Sequence, residues 1–212
     1  MTEIIFILDR SGSMEGLEKD TIGGFNSMMK KQASVPGDAL VSTLLFDNDV
    51  EVIHDRLNIK DVPEMTSKEY YVRGCTALLD AVGGAIKHIS MIHKYARKED
   101  VPEKTLFIIT TDGMENASRR YSYEDVRSMV ENQKSKHGWE FIFLGANIDA
   151  QAEASKYGID ESMSVNYNCD SKGMEISFKV MDDVVSSYRS TCEVPKEWRK
   201  LIDDDFKSRR KF

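Results

Sequence analysis

The sequence lacks most of what would place it outside the ordinary soluble domains. It has only three cysteines, Cys75, Cys169 and Cys192, and no Cys-x-x-Cys pair. An odd, scattered set excludes a disulfide-stapled scaffold and points to a reducing, cytoplasmic setting. No apolar run approaches the roughly 18 residues of a spanning helix. Met1-Thr2-Glu3 lacks the basic start of a signal peptide and runs straight into an apolar stretch. With a net charge of −7, the chain lacks the positive excess of a general nucleic-acid binder. There are four prolines, no Gly/Ser-rich linker, no internal repeat and no low-complexity segment. No Gly-Lys-Ser/Thr follows a strand, so a P-loop is absent, as is the Gly-x-Ser-x-Gly of a serine hydrolase.

What remains is ordinary in amount: 212 residues, 41% hydrophobic and 31% charged. That suits one α/β domain with a real core, or a domain with a small addition. The informative stretch is Ile4-Ile5-Phe6-Ile7-Leu8-Asp9-Arg10-Ser11-Gly12-Ser13. The run is apolar on both faces and reads as a buried parallel strand. Asp9 then lies at its C-terminal end, where open α/β sheets bind ligands. Gly12 permits a sharp turn that aims Ser11 and Ser13 at the same point as Asp9. Converging oxygen donors suit a hard cation such as Mg²⁺. The alternative is that Asp9 or Ser13 caps the next helix.

The pattern recurs. Thr105-Leu106-Phe107-Ile108-Ile109-Thr110-Thr111-Asp112-Gly113 is again an apolar strand ending in a carboxylate and a glycine. Parallel neighbours would bring Asp9 and Asp112 to one rim, where they repel unless a cation or proton lies between them. Thr76 stands just before an amphipathic helix carrying Leu78, Leu79, Val82, Ile86 and Ile89. It reads either as an N-cap, with Asp80 favouring the helix start, or as a further hydroxyl donor.

Between these stretches, residues 15–32 read as a helix with Gly23 and Gly24 in mid-course. Each glycine weakens it by about 1 kcal/mol relative to Ala, which implies close packing on the sheet. Residues 39–46 and 50–54 read as strands joined by the turn Asp47-Asn48-Asp49. So short a connection makes them antiparallel. Residues 67–71 suggest one helical turn. Residues 123–136, 150–157 and 171–189 read as helices, and 139–144 and 163–167 as strands. Met114-Glu115-Asn116-Ala117-Ser118 reads as the start of a helix, or as a carboxylate and amide near the site. Arg10 could pair with a partner's carboxylate or with Glu15. None of the four histidines has ligand-like spacing. The tail 193–212 mixes Trp198, Leu201, Ile202 and Phe206 with many charges, as an amphipathic docking helix would. It ends in the basic cluster Lys207-Ser208-Arg209-Arg210-Lys211.

Asp9-Arg10-Ser11-Gly12-Ser13, Thr76 and Thr111-Asp112-Gly113, in this order, resemble the von Willebrand factor A family over about residues 2–190. The nearest likeness is to small stand-alone bacterial or phage members. The resemblance implies a doubly wound, Rossmann-like α/β fold. Its mostly parallel sheet would have about six strands, one of them antiparallel at an edge, with helices on both faces. The domain would occupy 1–192 and the tail 193–212. It further implies a metal-ion-dependent adhesion site, with Ser11, Ser13 and Thr76 as hydroxyl ligands. Asp9 and Asp112 would act directly or through water. The expected ion is Mg²⁺, with Mn²⁺ or Ca²⁺ as substitutes, and the expected partner is a protein supplying an Asp or Glu carboxylate. No small-molecule substrate, membrane or nucleic acid is expected. Two rival readings stand beside this one. A Mg²⁺-dependent phosphoryl-transfer enzyme would need a second Asp where Ser11 stands. A structural subunit would use its metal only for stability.

Overall fold

The computed structural model describes residues 1–209; Arg210 and Lys211 of the basic cluster lie outside the described residues. Strand β1 (Thr2–Asp9) is buried along its whole length. Its side chains alternate, as the strand period of two requires. Ile4, Phe6 and Leu8 enter one core layer, and Ile5 and Ile7 enter the other. Strand β4 (Lys104–Thr111) does the same with Leu106 and Ile108 on one side and Phe107 and Ile109 on the other. A strand apolar on both faces needs helices on both faces.

The first layer is covered by α1 (Glu18–Ser34) and α5 (Ser171–Thr191). The second is covered by α2 (Leu78–Tyr95), α3 (Tyr123–His137) and α4 (Ala150–Lys156). The remaining strands are β2 (Ala39–Phe46), β3 (Val50–Asn58), β5 (Glu140–Gly145) and β6 (Ser164–Asn166). The sheet order is β3-β2-β1-β4-β5-β6. Among the described residues only the β2–β3 pair is antiparallel, at the edge, as the short Asp47-Asn48-Asp49 turn requires. The chain leaves β1 for β2 on one side and later returns to β4 on the other. The rim between β1 and β4 is therefore the switch point at which such sheets form a crevice.

Local departures from the sequence pattern have physical reasons. The first helix begins at Glu18, because Gly12–Met14 forms a 3₁₀ turn and Gly16 takes a φ of 88°. Residues 66–70 make a single turn, closed by the Tyr70 amide donating to the Thr66 carbonyl at 2.9 Å, and no longer helix. Gly24 packs closely, but on helix α5 and not on the sheet: a Cβ there would lie 2.2 Å from Phe178 Cδ2. Gly23 faces open space.

Beyond α5 the chain turns back in helix α6 (Lys200–Arg209). Trp198 and Ile202 join the α1/α5 core layer. The Trp198 indole donates to the Ser162 carbonyl at 2.9 Å, and Arg199 donates to the Glu161 and Ser164 carbonyls. Arg209 pairs with Asp170 and Asp205, while Asn168 donates to Asp205 at 2.8 Å. The segment from Trp198 to Arg209 is thereby tied to the chain on both sides of β6.

Candidate metal centre

The β1–β4 register places Leu8 opposite Thr110, so Asp9 comes level with Thr111. The Thr111 hydroxyl donates to Asp9 Oδ2 at 2.6 Å, and the Ser11 amide donates to Asp9 Oδ1 at 2.7 Å. The Asp9 main chain is also held, by the Tyr70 hydroxyl donating to its carbonyl at 2.5 Å. The 3₁₀ turn carries the chain round so that Ser11 Oγ and Ser13 Oγ lie 3.2 Å apart. Gly12 serves here by close approach: its amide donates to the Gly74 carbonyl, which an added Cβ would meet at 3.3 Å. Gly74 itself requires glycine, with φ at 69° and Asn48 Oδ1 only 2.0 Å from a would-be Cβ.

Ser13 Oγ donates to Asp112 Oδ1 at 2.6 Å. Asp9, Ser11, Ser13 and Asp112 thus form one contiguous polar group across the ends of β1 and β4. Thr76 borders the same spot. A Cβ on Gly113 would lie 3.6 Å from Thr76 Oγ1 and 3.7 Å from Ser13 Oγ, which puts the two hydroxyls around one point. All five residues proposed from the sequence are therefore brought together at the switch point.

Thr76 is not the N-cap of α2. That position is Ala77, which has no side-chain cap bond. The free amides at the helix start are satisfied from the loop after Asp112: Leu79 donates to Glu115 Oε2 at 2.8 Å and Asp80 to Ser118 Oγ at 2.9 Å. The Thr76 amide donates to Asn116 Oδ1, and the Asn116 amide donates back to the Thr76 carbonyl. Residues 114–118 consequently start no helix. They lock the Thr76 and Asp112 loops to each other. Asp80 accepts from the amides of Arg119, Arg120 and Tyr121, completing the latch.

Arg10 is also corrected. It is wholly buried and pairs with Asp47 at 2.8 Å and Glu51 at 2.8 Å, not with Glu15. Asp47 also receives Arg73 at 2.8 Å, so this buried turn aspartate joins the buried Arg10 to the half-exposed Arg73. Burial works to raise its carboxyl. Hydrogen bonds from Arg73, the Asp49 amide and Arg10 outweigh burial and hold the carboxyl below its ordinary value.

The two site carboxyls go the other way. Burial pushes Asp9 up to about 6, against hydrogen bonds from Ser11 and Thr111, and the charge of Asp112 adds to the rise. Asp112 is raised too, chiefly by burial, against hydrogen bonds from Ser13 and Cys169. Two carboxyls that resist ionisation, ringed by neutral hydroxyls, fit a divalent cation: it would stabilise both charges, and all the donors are hard oxygens. Among the described residues no group of three or more His, Cys, Asp or Glu side chains is placed to hold a metal. Any ion here depends on the hydroxyls. The sequence reading missed Cys169, whose Sγ donates to Asp112 Oδ2 at 3.7 Å. It also missed Tyr70. No local motif marks either residue.

No protein-family model matches the sequence, and no curated protein sequence does. Solved structures match strongly in shape. The vWF domain of the type V pilus tip protein Mfa5 from Porphyromonas gingivalis aligns with a TM-score of 0.62 at 11% identity. That alignment covers 92% of this chain and 98% of that one. The von Willebrand factor type A protein of Catenulispora acidiphila aligns at 0.59 and 16% identity, over 88% and 42% of the two chains. Proximal thread matrix protein 1 from the mussel byssus aligns at 0.56 and 17% identity, over 87% and 45%; this chain spans about half its length. That protein has also been solved with zinc in its MIDAS motif. At such identities the likeness is one of fold, and the fold is that of the von Willebrand factor type A domain. Among the described residues no helix is long and apolar enough to cross a membrane.

Proposed function

We propose that this chain is a metal-dependent protein-binding module and not an enzyme. Asp9, Ser11, Ser13, Thr76 and Asp112 would hold a divalent cation, Mg²⁺ or a substitute, at the β1–β4 rim. The observation that carries this reading is the hydrogen-bonded run from Asp9 to Asp112 through the serine loop, with Thr76 beside it. The bound ion would supply a Lewis-acidic position for an incoming Asp or Glu carboxylate of a partner protein. The chain's own part is orientation. Thr111 and the Ser11 amide aim Asp9, Ser13 aims Asp112, and Asn116 fixes Thr76. With Asp9 and Asp112 held through water, the directly bound neutral hydroxyls would leave much of the ion's positive charge in place, which would favour an anionic partner group. All three cysteines are free, which supports a reducing, cytoplasmic setting.

The test is calorimetric titration with Mg²⁺ and Mn²⁺. Saturable binding by the wild type, lost in both Asp9→Ala and Asp112→Ala with the fold intact by circular dichroism, is the expected result. Equal affinity in both variants would overturn the reading. Metal-dependent capture of a carboxylate-bearing peptide, and no turnover of a phosphate ester with Mg²⁺, separates the module from a phosphoryl-transfer enzyme.

A further inference from the structure

We infer that the loop following Asp112 docks an acidic segment of the partner protein, with Met114, Arg119 and Arg120 contacting it beyond the carboxylate at the cation. The inference rests on the metal-site reading above and adds what the partner must carry: a second Asp or Glu close to the one that reaches the ion.

The loop lies against the site. A Cβ on Gly113 would lie 3.6 Å from Thr76 Oγ1 and 3.7 Å from Ser13 Oγ, and Met114 is the next residue. Further along, the Arg119 and Arg120 amides donate to Asp80 at 3.0 and 2.8 Å. Asp80 belongs to the first turn of α2, just beyond Thr76. The two arginines therefore leave the loop about one helical turn, on the order of 5 Å along α2, from the Thr76 side of the site.

The loop backbone is pinned throughout. Asn116 pairs with Thr76 in both directions, and Glu115 holds the Ala117 and Ser118 amides. At the far end the Tyr121 ring packs on α2, where a Cβ on Gly83 would lie 2.7 Å from its Cγ. Side chains presented from a fixed backbone cost less to order on binding.

What the loop presents is unpartnered. Met114 is 58% exposed. Arg119 and Arg120 are exposed, and neither guanidinium has an ion pair or hydrogen bond among the described residues. The neighbouring acids are already engaged: Asp80 accepts from the amides of Arg119, Arg120 and Tyr121, and Glu115 from the Leu79 amide and the Ser118 hydroxyl. Two adjacent free guanidiniums on a chain of net charge −7 make a local positive spot, beside the position of the cation. Arg and Met are enriched at protein interfaces, and the guanidinium fork takes a carboxylate bidentately. A negatively charged segment is complementary to the ion and the arginines together, while the chain's overall negative charge disfavours nucleic acid. An extended segment advances about 3.3 Å per residue, so the second carboxylate falls about two to four residues from the first.

The test is selection from a displayed library of random peptides with one fixed Asp, bound in Mg²⁺ and released by chelator. Clones released from the wild type should carry a further Asp or Glu within about four positions of the fixed one. A synthetic peptide of that pool should bind Arg119→Ala/Arg120→Ala about 3–30-fold more weakly, the loss of two exposed ion pairs, and with a shallower dependence on salt. Arg119→Lys/Arg120→Lys should restore most of the affinity. Calorimetric Mg²⁺ affinity of the double alanine variant should stay within a factor of about two, since the charges are exposed and screened. Released clones with no second acid, or equal affinity for the double alanine variant, overturn this inference and leave the metal site standing. Failure to obtain chelator-released clones also overturns it, and if the wild type shows no Mg²⁺ binding the metal site falls with it. Arginine-dependent binding of a single-stranded oligonucleotide that displaces the peptide overturns it in favour of a nucleic-acid partner.

Discussion

Glycine shows most plainly how residue-scale contacts decide outcomes. Two adjacent helical glycines look alike in sequence, but Gly24 lies under the Phe178 ring and Gly23 faces open space. Gly24→Ala should destabilise by about 1–3 kcal/mol through overpacking. Gly23→Ala should stabilise by up to about 1 kcal/mol through helix propensity. Urea melts of the two variants check both signs. Asp47 allows a pH prediction. Its folded carboxyl is held below the ordinary 3.8, so the unfolded chain takes up the proton first as pH falls. Its stabilising contribution is full above that value and is lost as pH drops below it. Acid melts below pH 3.8 should show a shallower loss in Asp47→Asn than in the wild type, from a lower starting stability. That lower start follows from Arg10: removing one partner of so buried a pair typically costs about 3–5 kcal/mol. Asp9, Ser11, Ser13 and Asp112 were legible as candidates because strand ends and hydroxyl spacing are local patterns. The Cys169–Asp112 contact spans 57 positions and has no local pattern.

At the scale of elements, the start of α2 is the instructive case. Its amides are capped from a loop some 40 residues away, through Glu115 and Ser118, and this frees the Thr76 hydroxyl for the site. Glu115 also accepts from the Ala117 and Ser118 amides. Glu115→Ala should therefore lower stability by about 1–2 kcal/mol, the range for a lost helix cap. It should also weaken cation affinity, because Asn116 and Asp112 share its loop. Thermal melts and the Mn²⁺ titration read the two effects separately. A sequence reading offers a cap or a ligand for Thr76 and cannot choose, because capping from a distant loop leaves no trace near the helix. The strands behaved differently. Residues 39–46 form β2 as their pattern says, because an apolar run between turn signals has few other ways to be buried.

For the whole molecule, the tail and the site are coupled to the same core layer. Trp198 and Ile202 pack with α1, α5 and the sheet. Trp198→Ala should cost about 3–5 kcal/mol, as for other buried aromatic truncations, and a differential scanning measurement would show it as a lowered Tm. A cation at the rim binds the folded state only. At about 100 times its Kd it should stabilise by about 2.7 kcal/mol. The same scan with and without chelator should show that increment in the wild type and none in Asp112→Ala.

Strand-run hydrophobicity on both faces, an aspartate at the end of two such runs and a short acidic turn between two others are local facts. They were enough to specify a parallel sheet clothed on both sides, its antiparallel edge and the rim where carboxylates meet. Each follows from the period of the chain and the need to bury apolar surface. Which partners the polar groups take was settled only in three dimensions. Arg10 went to Asp47, Glu115 to the start of α2, and Cys169 to the back of Asp112. Those pairings depend on strand register and helix packing, which bring together residues that nothing in the linear pattern relates.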